Sequence, residues 1–453
     1  MGAILGASIL ALSTKALALL LAGMAGAVMA TSSAAAYYAL VASIPVQVDF
    51  LGGLTITKLV VPAVLAIVAM NALIRRGPWP PVFRGPEGFL ACTFFLASLV
   101  SLLVQGLRQF PGEAAKVPVY ASLFFLTLTF NRTPADFRRL LWVLAVAGTI
   151  EALVTAAQVR YGFVMPGDWR RNLGQPGEGG VDGALDSILG GKIRAEGTTA
   201  HPIFLASYFL MTIPCTTLLL LQEHHPARRM LLGTMLALMG YAWFYTFARS
   251  SMIGFAVMAV VTLNFYSRAA RIMTLLGLLM SMTGLLSYQV ISESVSSGVR
   301  VFESQSFWGQ ADVNAASGSW QFRLESIVGG WNLFLAYPWF GVGFGQSIWN
   351  YMPYLPSWAT HSSHPSTIHN TFLEVGSELG IFALVTFIGI WLWGFLGIRR
   401  ALQRPETRHY AILMCSILSG QMTFVMITPM VREIWLTIPM AIALGYMHKP
   451  ETV

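Results

Sequence analysis

The sequence predicts an all-α membrane protein that crosses a bilayer about twelve times. Of its 453 residues, 55% are hydrophobic and only 11% are charged, and the mean hydropathy is +0.64. Soluble proteins carry roughly 25% charged residues, so this composition excludes an ordinary soluble domain. The apolar residues form runs of about 20, and a helix of that length crosses the roughly 30 Å of hydrocarbon in a bilayer. Strands of a membrane barrel would be shorter and would alternate with polar residues.

The apolar runs define one integral membrane domain over residues 1–453. The first run follows Lys15 and extends for about 28 residues, which is too long for a cleaved signal peptide and favours one long tilted helix or a helical hairpin. The predicted spans are 16–44, 54–74, 88–105, 117–130, 137–159, 203–221, 230–247, 251–266, 272–290, 371–398, 409–427 and 433–447.

Arginines divide the connecting loops into two sets. Alternate short loops carry most of them, and basic loops stay in the cytoplasm, so these loops and both termini are predicted there. The net charge of +8 therefore indicates membrane topology rather than binding of nucleic acid. The other loops lie outside, and they include the two longest, 160–202 and 291–370. Short surface helices are predicted within the large loop 291–370 between the ninth and tenth spans, one of them from Ile327 to Tyr337.

Arginines are scarce in the outer loops, so each one there is a candidate for binding an anion. Arg249 lies in a turn of a few residues between two spans, and Arg432 lies in a similar turn. Arg194 comes shortly before His201 and the sixth span, while Arg323 precedes the predicted surface helix. In a partly dry site, arginines bind phosphate by charge and by forked hydrogen bonds. A diphosphate at the membrane surface is therefore a suitable ligand.

His369 is the candidate general base. It lies just before the tenth span, and the amino end of a helix disfavours a protonated histidine, so the imidazole stays neutral and can take a proton from a hydroxyl. A base beside arginines that hold a diphosphate describes glycosyl transfer from a lipid-linked donor. Two alternatives stay open: His369 caps the helix, or it binds a metal with His361 and His364. Spacings of three and five residues, without a nearby carboxylate or cysteine ligand, disfavour the metal.

Three carboxylates lie inside predicted spans. Glu374 and Glu378 lie about one and two turns into the tenth span. Buried carboxylates are costly in a membrane and are usually paired, so we expect a structural ion pair with Arg249 or Arg432. Glu151 in the fifth span raises the same question, but the sequence identifies no partner for it.

The segment 341–345 contains three glycines in five residues. No strand precedes it, which disfavours a nucleotide-binding loop. It predicts a tight backbone turn that lets the large loop fold back over the site.

Four stretches of the chain resemble the O-antigen ligase and O-antigen polymerase superfamily of bacterial membrane proteins. Together they cover roughly residues 190–382. Ala stands at position 248, where the family has Ser, and this change leaves the neighbouring arginine untouched. The four stretches are Arg194-x-x-Gly197 with His201-Pro202, then Ala248-Arg249-Ser250, then Arg323 followed by Trp331, Pro338, Gly341, Gly343 and Gly345, and finally His369-Asn370-x-x-Leu373 with Glu374 and Glu378-x-Gly380.

The resemblance implies a lipid-carrier-dependent glycosyltransferase that acts at the periplasmic face of the inner membrane. The donor is then a glycan on undecaprenyl diphosphate. The reaction needs no metal, no other cofactor and no nucleotide sugar. The implied site consists of His369 as base, Arg249, Arg323, Arg194 and Arg432 on the diphosphate, and Glu374, Glu378, Asn370 and His201 in supporting positions.

Members of the superfamily differ in their acceptor. A ligase transfers the glycan to lipid A–core in lipopolysaccharide synthesis, a polymerase to another lipid-linked repeat, and a protein glycosylase to a Ser or Thr hydroxyl. Twelve spans with one large loop resemble a ligase most, and the outer loops lack the Arg-x10-Gly pattern associated with polymerases. A transporter for lipid-linked sugars is a different class, which would place charges near the midplane and show an inverted repeat. An assembly scaffold is the remaining alternative.

Overall fold

The computed structural model confirms the all-α fold, interrupted among the described residues by one pair of two-residue strands. The strands β1 (Ile188–Leu189) and β2 (Lys192–Ile193) pair antiparallel, with Ile188 opposite Ile193. The structure describes residues 32–47, 56–75, 85–105, 116–161, 188–189, 192–193, 195–199, 201–266, 313–359 and 367–447. The helices are α1 (Ser33–Ala42), α2 (Ile56–Arg75), α3 (Pro86–Gln105), α4 (Lys116–Phe130), α5 (Pro134–Tyr161), α6 (Pro202–Gln222), α7 (Pro226–Phe244), α8 (Arg249–Tyr266), α9 (Val313–Ala336), α10 (Ser347–Asn350), α11 (Thr371–Leu402), α12 (Arg408–Val425) and α13 (Ile434–Tyr446).

Helices occupy ten of the twelve predicted spans and residues 33–42 of the first, while residues 16–31 of the first span and the whole span 272–290 lie outside the described residues. Within the described part of the chain, four helices are long and apolar enough to cross a membrane, namely α3, α5, α6 and α11. Other apolar helices are shorter, such as α4 with 15 residues and α13 with 13. The chain is therefore a multi-pass membrane protein, while the number of twelve spans stays a prediction.

Glycines allow the helices to approach closely where they cross. A Cβ atom on Gly397 of α11 would overlap the Ala441 carbonyl oxygen of α13, where Gly445 faces it. Similarly, a Cβ on Gly420 of α12 would lie 2.9 Å from the Gly254 carbonyl oxygen of α8. In a bilayer, where lipid is as apolar as the helix faces, such close packing drives helix association. These contacts fix α8, α11, α12 and α13 relative to one another.

The loops alternate between two ends of the helical bundle, as the arginine pattern predicts. At one end, which we call the basic end, Arg138 and Arg228 approach the Glu223 carboxylate at 3.6 and 3.9 Å. The Phe137 and Tyr410 rings pack 5.1 Å apart at the same end, so the start of α12 joins it. The opposite end, which we call the site end, is formed by residues 195–199, 245–248, 341–346, 367–370 and 426–433.

The glycine-rich segment 341–345 forms the predicted tight turn, and it packs against a kink in α11. Gly341, Gly343 and Gly345 all have positive φ, at 64°, 104° and 72°. Gly380, inside α11, has φ 82° and ψ −176°, which bends the helix there. A Cβ on Gly380 would overlap the Trp339 carbonyl oxygen, so both backbones require glycine to approach this closely.

The helix predicted from Ile327 to Tyr337 is present but begins earlier, because α9 extends from Val313 to Ala336. Its first half is polar, so a search for apolar runs detects only the second half. Gly330 places α9 directly against the residue before His369, since a Cβ there would lie 2.8 Å from the Ile368 side chain. The large loop therefore contains a helix that packs on the start of α11.

Candidate active site

His369 is held against α9 by Ser326. The backbone N–H of His369 donates to Ser326 Oγ at 3.2 Å, and the same oxygen lies 3.4 Å from His369 Nδ1. Ser326 Oγ in turn donates to the carbonyl oxygen of Arg323 at 2.9 Å. Arg323 and Ser326 are three residues apart on a helix, so both face His369. The structure thus brings together the predicted base and one of the predicted phosphate ligands.

The imidazole of His369 is neutral at physiological pH. Burial and, to a smaller extent, the positive charge of Arg323 lower its pKa from 6.5 to about 4, against the opposite effect of a hydrogen bond with the Thr367 backbone. A protonated imidazole would be poorly solvated here and would be repelled by the guanidinium group. His369 is therefore available to accept a proton.

Asn370 and Glu374 join the start of α11 to the segment 426–433. Asn370 caps α11, because its Oδ1 accepts from the Leu373 N–H at 3.0 Å. Its Nδ2 donates to the Met426 carbonyl oxygen at 3.1 Å. Glu374 Oε2 accepts from the Met430 N–H at 2.6 Å. These two residues hold the segment that carries Arg432 beside His369.

Arg432 and Glu433 carry polar atoms without hydrogen-bond partners among the described residues. Arg432 Nη1 and Glu433 Oε1 are both buried and unbonded. The other carboxylate oxygen of Glu433 accepts from Ser207 Oγ at 3.3 Å, which connects the segment to α6. An arginine with a buried, unused N–H donor at the site end is suited to an anionic ligand.

Glu378 binds the glycine turn through hydrogen-bond donors of the turn and of α10. Its Oε2 accepts from the Gly345 N–H at 2.8 Å, and its Oε1 accepts from the Ser347 hydroxyl at 2.6 Å and from the Ser347 N–H at 3.3 Å. Ser101 of α3 donates to the Glu378 carbonyl oxygen at 2.8 Å. A carboxylate with this many donors is satisfied in a buried position, which explains its place in a spanning helix.

Glu151 has a partner that the sequence does not reveal. Its carboxylate accepts from the backbone N–H of Thr198 at 2.9 Å and from the Thr198 hydroxyl. Gln158, two turns later in α5, donates to the Gly197 carbonyl oxygen and accepts from the Gly197 N–H, both at 2.8 Å. Gly197 has φ 63°, and a Cβ there would lie 2.6 Å from Glu151 Oε2. The glycine of the Arg194-x-x-Gly197 stretch is thus required by this contact.

His201 caps α6, because its Nδ1 accepts from the Ile203 N–H at 3.1 Å. Arg194 itself lies outside the described residues, but Ala195, which follows it, donates from its backbone to the Tyr245 carbonyl oxygen at 3.0 Å. The stretch that carries Arg194 therefore meets the turn that leads to Arg249.

The structure describes Arg249 through its backbone, which begins α8. Phe247, two residues earlier, has φ 48°, an uncommon conformation for a residue with a side chain, so the turn is sharply folded. Because α8 and α12 cross in antiparallel directions, Arg249 lies at the end of the pair where α12 finishes at Val425. Asn370 binds Met426 at this same place.

Comparison with known protein families agrees with this arrangement. Residues 234–388 match the family model described as O-antigen ligase. This region of the chain is similar to the O-antigen ligase family. The predicted resemblance is thereby confirmed, and it indicates a glycosyltransferase-like enzyme of ligase or polymerase type. No curated protein matches the chain.

The O-antigen ligase region runs from α7 to the middle of α11. It contains Arg249, Arg323 and His369, whereas Arg194 and Arg432 lie on either side of it. It also contains Glu378 and the glycine turn, so the structural contact between them falls inside the family region. Near the two arginines outside the region, the described residues Ala195 and Met430 make hydrogen bonds at the site end.

Two residues at the candidate site were not predicted from the sequence. Ser326 could have been found, because its spacing of three from Arg323 places it on the same helical face. Glu433 has no such signal, since its burial depends on α6, which is distant in the chain. As for metals, no group of three His, Cys, Asp or Glu side chains suited to an ion occurs in the described ranges, and His361 and His364 lie outside them.

Proposed function

We propose that the protein transfers a glycan from undecaprenyl diphosphate to a hydroxyl group of lipid A–core. The observation that carries this proposal is the closeness of Arg323 to His369. The Ser326 hydroxyl group contacts His369, Arg323 lies one helical turn before Ser326 on α9, and its positive charge acts on the His369 imidazole. The reaction needs a cation for the diphosphate and a neutral base for the hydroxyl, and these residues are of those two kinds. The O-antigen ligase match, which contains both residues, supports the same assignment.

In the proposed reaction, the acceptor hydroxyl oxygen attacks the anomeric carbon of the donor sugar. The bond between that carbon and the diphosphate oxygen breaks, and the diphosphate leaves with the bonding electrons. His369 takes the hydroxyl proton. Arg323, together with Arg249, Arg432 and Arg194, stabilises the charge that grows on the diphosphate.

We place the site on the periplasmic side of the inner membrane. Helix α11 has 32 residues and is therefore about 48 Å long, longer than the roughly 30 Å of hydrocarbon. With Arg399 and Arg400 at the cytoplasmic surface, about 20 residues of α11 reach the outer boundary near the Gly380 kink. His369 then lies beyond the outer boundary of the hydrocarbon, on the opposite side of the membrane from Arg399 and Arg400.

The decisive experiment is reconstitution of the purified protein with lipid-linked glycan and lipid A–core, without nucleotide or added metal. Glycan on lipid A–core supports a ligase. Longer lipid-linked chains without that product would instead identify a polymerase. Activity that a chelator removes would overturn metal-independent transfer, and no product of either kind would overturn glycosyl transfer between these substrates.

Substitutions test the residue roles in the same assay. We expect His369→Ala to abolish turnover and Arg323→Ala or Arg249→Ala to weaken use of the donor. His224→Ala and Arg229→Ala, at the basic end, are the matched controls and should keep wild-type activity. Full activity of His369→Ala would remove it from the role of base, and unchanged donor binding and rate in both arginine variants would refute the diphosphate assignment.

A labelling experiment tests the orientation. A single cysteine in the 346–359 segment should react with an impermeant thiol reagent added from the periplasm, and a cysteine at position 228 should not. Labelling of the first position from the cytoplasm alone would reverse the topology.

A further inference from the structure

Ser326 makes three polar contacts at the site, and two of them are with His369, outside its own helix. Its hydroxyl donates to the Arg323 carbonyl oxygen at 2.9 Å, which uses its one hydrogen. Its oxygen accepts from the His369 backbone N–H at 3.2 Å and lies 3.4 Å from His369 Nδ1. The side chain is 1% exposed, so water does not compete for these contacts.

The direction of the hydrogen bond from Ser326 to the Arg323 carbonyl determines whether Ser326 Oγ acts as donor or acceptor toward the His369 ring. Because the hydroxyl hydrogen points to the Arg323 carbonyl, the oxygen presents a lone pair to His369 Nδ1. A lone pair there pairs with an Nδ1–H group and not with a bare nitrogen. This contact favours the neutral imidazole that has its proton on Nδ1 and its lone pair on Nε2.

The surroundings keep Ser326 in place. Helix α9 touches Ile368 at Gly330, and at Gly329 a Cβ would lie 3.1 Å from Leu355 and 3.2 Å from Tyr351. Both glycines are buried, so the helix cannot rotate without overlap on one side. The hydroxyl is therefore fixed relative to His369 by packing on two sides of α9.

We propose that Ser326 is a positioning residue that orients the His369 ring and directs its Nε2 lone pair toward the acceptor hydroxyl. This inference rests on the proposed function of His369 as base. Ser326 touches neither substrate in this scheme and acts through His369 alone.

The test compares Ser326→Ala with Ser326→Thr in the reconstituted transfer assay. We expect Ser326→Ala to lower kcat on the order of 10- to 100-fold, because the His369 ring can then adopt the other tautomer and turn away from the acceptor. The KM for the donor should change by less than about threefold. Ser326→Thr keeps the hydroxyl and should restore kcat to within about threefold of wild type. Ser98→Ala, a buried serine that bonds only within α3, is the matched control and should not change kcat.

The outcomes separate this inference from the proposed function. If His369→Ala is inactive but Ser326→Ala keeps wild-type kcat, the positioning role is wrong and the base assignment stands. If His369→Ala is active, the proposed function itself fails. Should Ser326→Ala lower activity only in proportion to lost folded protein, or should Ser326→Thr fail to restore kcat in a protein with wild-type melting temperature, the inference is also overturned.

Discussion

The backbone N–H of Gly345 donates a 2.8 Å hydrogen bond to Glu378 Oε2, so one side chain joins the glycine turn to the kink of α11. The turn follows α9 in the chain, and α9 carries Arg323 and Ser326. The kinked helix starts just after His369. Glu378 thus connects the two elements whose relative position determines the distance between base and phosphate ligand.

We expect Glu378→Gln to destabilise the protein and to reduce transfer. The amide group would replace one acceptor by a donor that faces the N–H groups of Gly345 or Ser347, and an unpaired buried polar group costs about 1–3 kcal/mol. Thermal unfolding in detergent and the transfer assay measure the two effects. Ser347→Ala, which removes one of the three bonds, should show a smaller change of the same kind, and a Glu378→Gln protein with unchanged melting temperature and rate would contradict the linking role.

Alanine at Gly341 or Gly380 should prevent the turn from packing on α11. Both positions have positive φ, and the added Cβ at each would overlap backbone atoms of the other segment. Because the obstacle is backbone, no side-chain movement relieves it, and the yield of folded protein should fall. Gly233 and Gly240 in α7 have open space around them, so their alanine variants are controls that should fold at least as well as wild type.

The value of kcat/KM should not fall near pH 6.5, where a histidine base with an ordinary pKa would become protonated. Burial and Arg323 lower the pKa of His369 to about 4, so the base stays unprotonated as the pH falls from 8 to about 5, and activity declines only as the pH passes through about 4. Arg323→Gln removes the positive charge, which raises this pKa and moves the acid limb to higher pH. The quantity to measure is the pH at which activity falls, not the maximal activity. A fall near pH 6.5 in the wild-type protein would contradict the prediction.

The spans were predictable because each apolar run is long enough to identify itself without its neighbours. The same holds for the positive-φ turn at Gly341, since glycine density alone indicates a tight turn. The kink at Gly380 was not predictable, because it exists to admit the Trp339 backbone, and that contact depends on two segments about 40 residues apart in the chain.

The carboxylates show the same limit at the site. We expected Arg249 or Arg432 to pair with one of Glu374 and Glu378. The structure shows that Glu374 accepts from a backbone N–H group and that Glu378 accepts from backbone N–H groups and a serine hydroxyl. The sequence does not indicate which backbone N–H group a carboxylate will contact. A partner such as Thr198 for Glu151 can therefore be identified only from the folded structure. The role of His369 as base stays a prediction, because a histidine directly before a span can also cap the helix, as His201 does.

His201 offers a test that separates capping from catalysis. Its Nδ1 accepts from the Ile203 N–H at 3.1 Å, and its backbone is extended, as expected of a residue just before a helix. Asparagine is a good helix cap, so His201→Asn should keep both stability and transfer, whereas His201→Ala should cost about 0.5–2 kcal/mol of stability. Melting temperature and kcat per folded protein, measured for both variants, distinguish the roles. If His201→Asn retained the melting temperature but lost turnover, His201 would act on the substrate and not only on the start of α6.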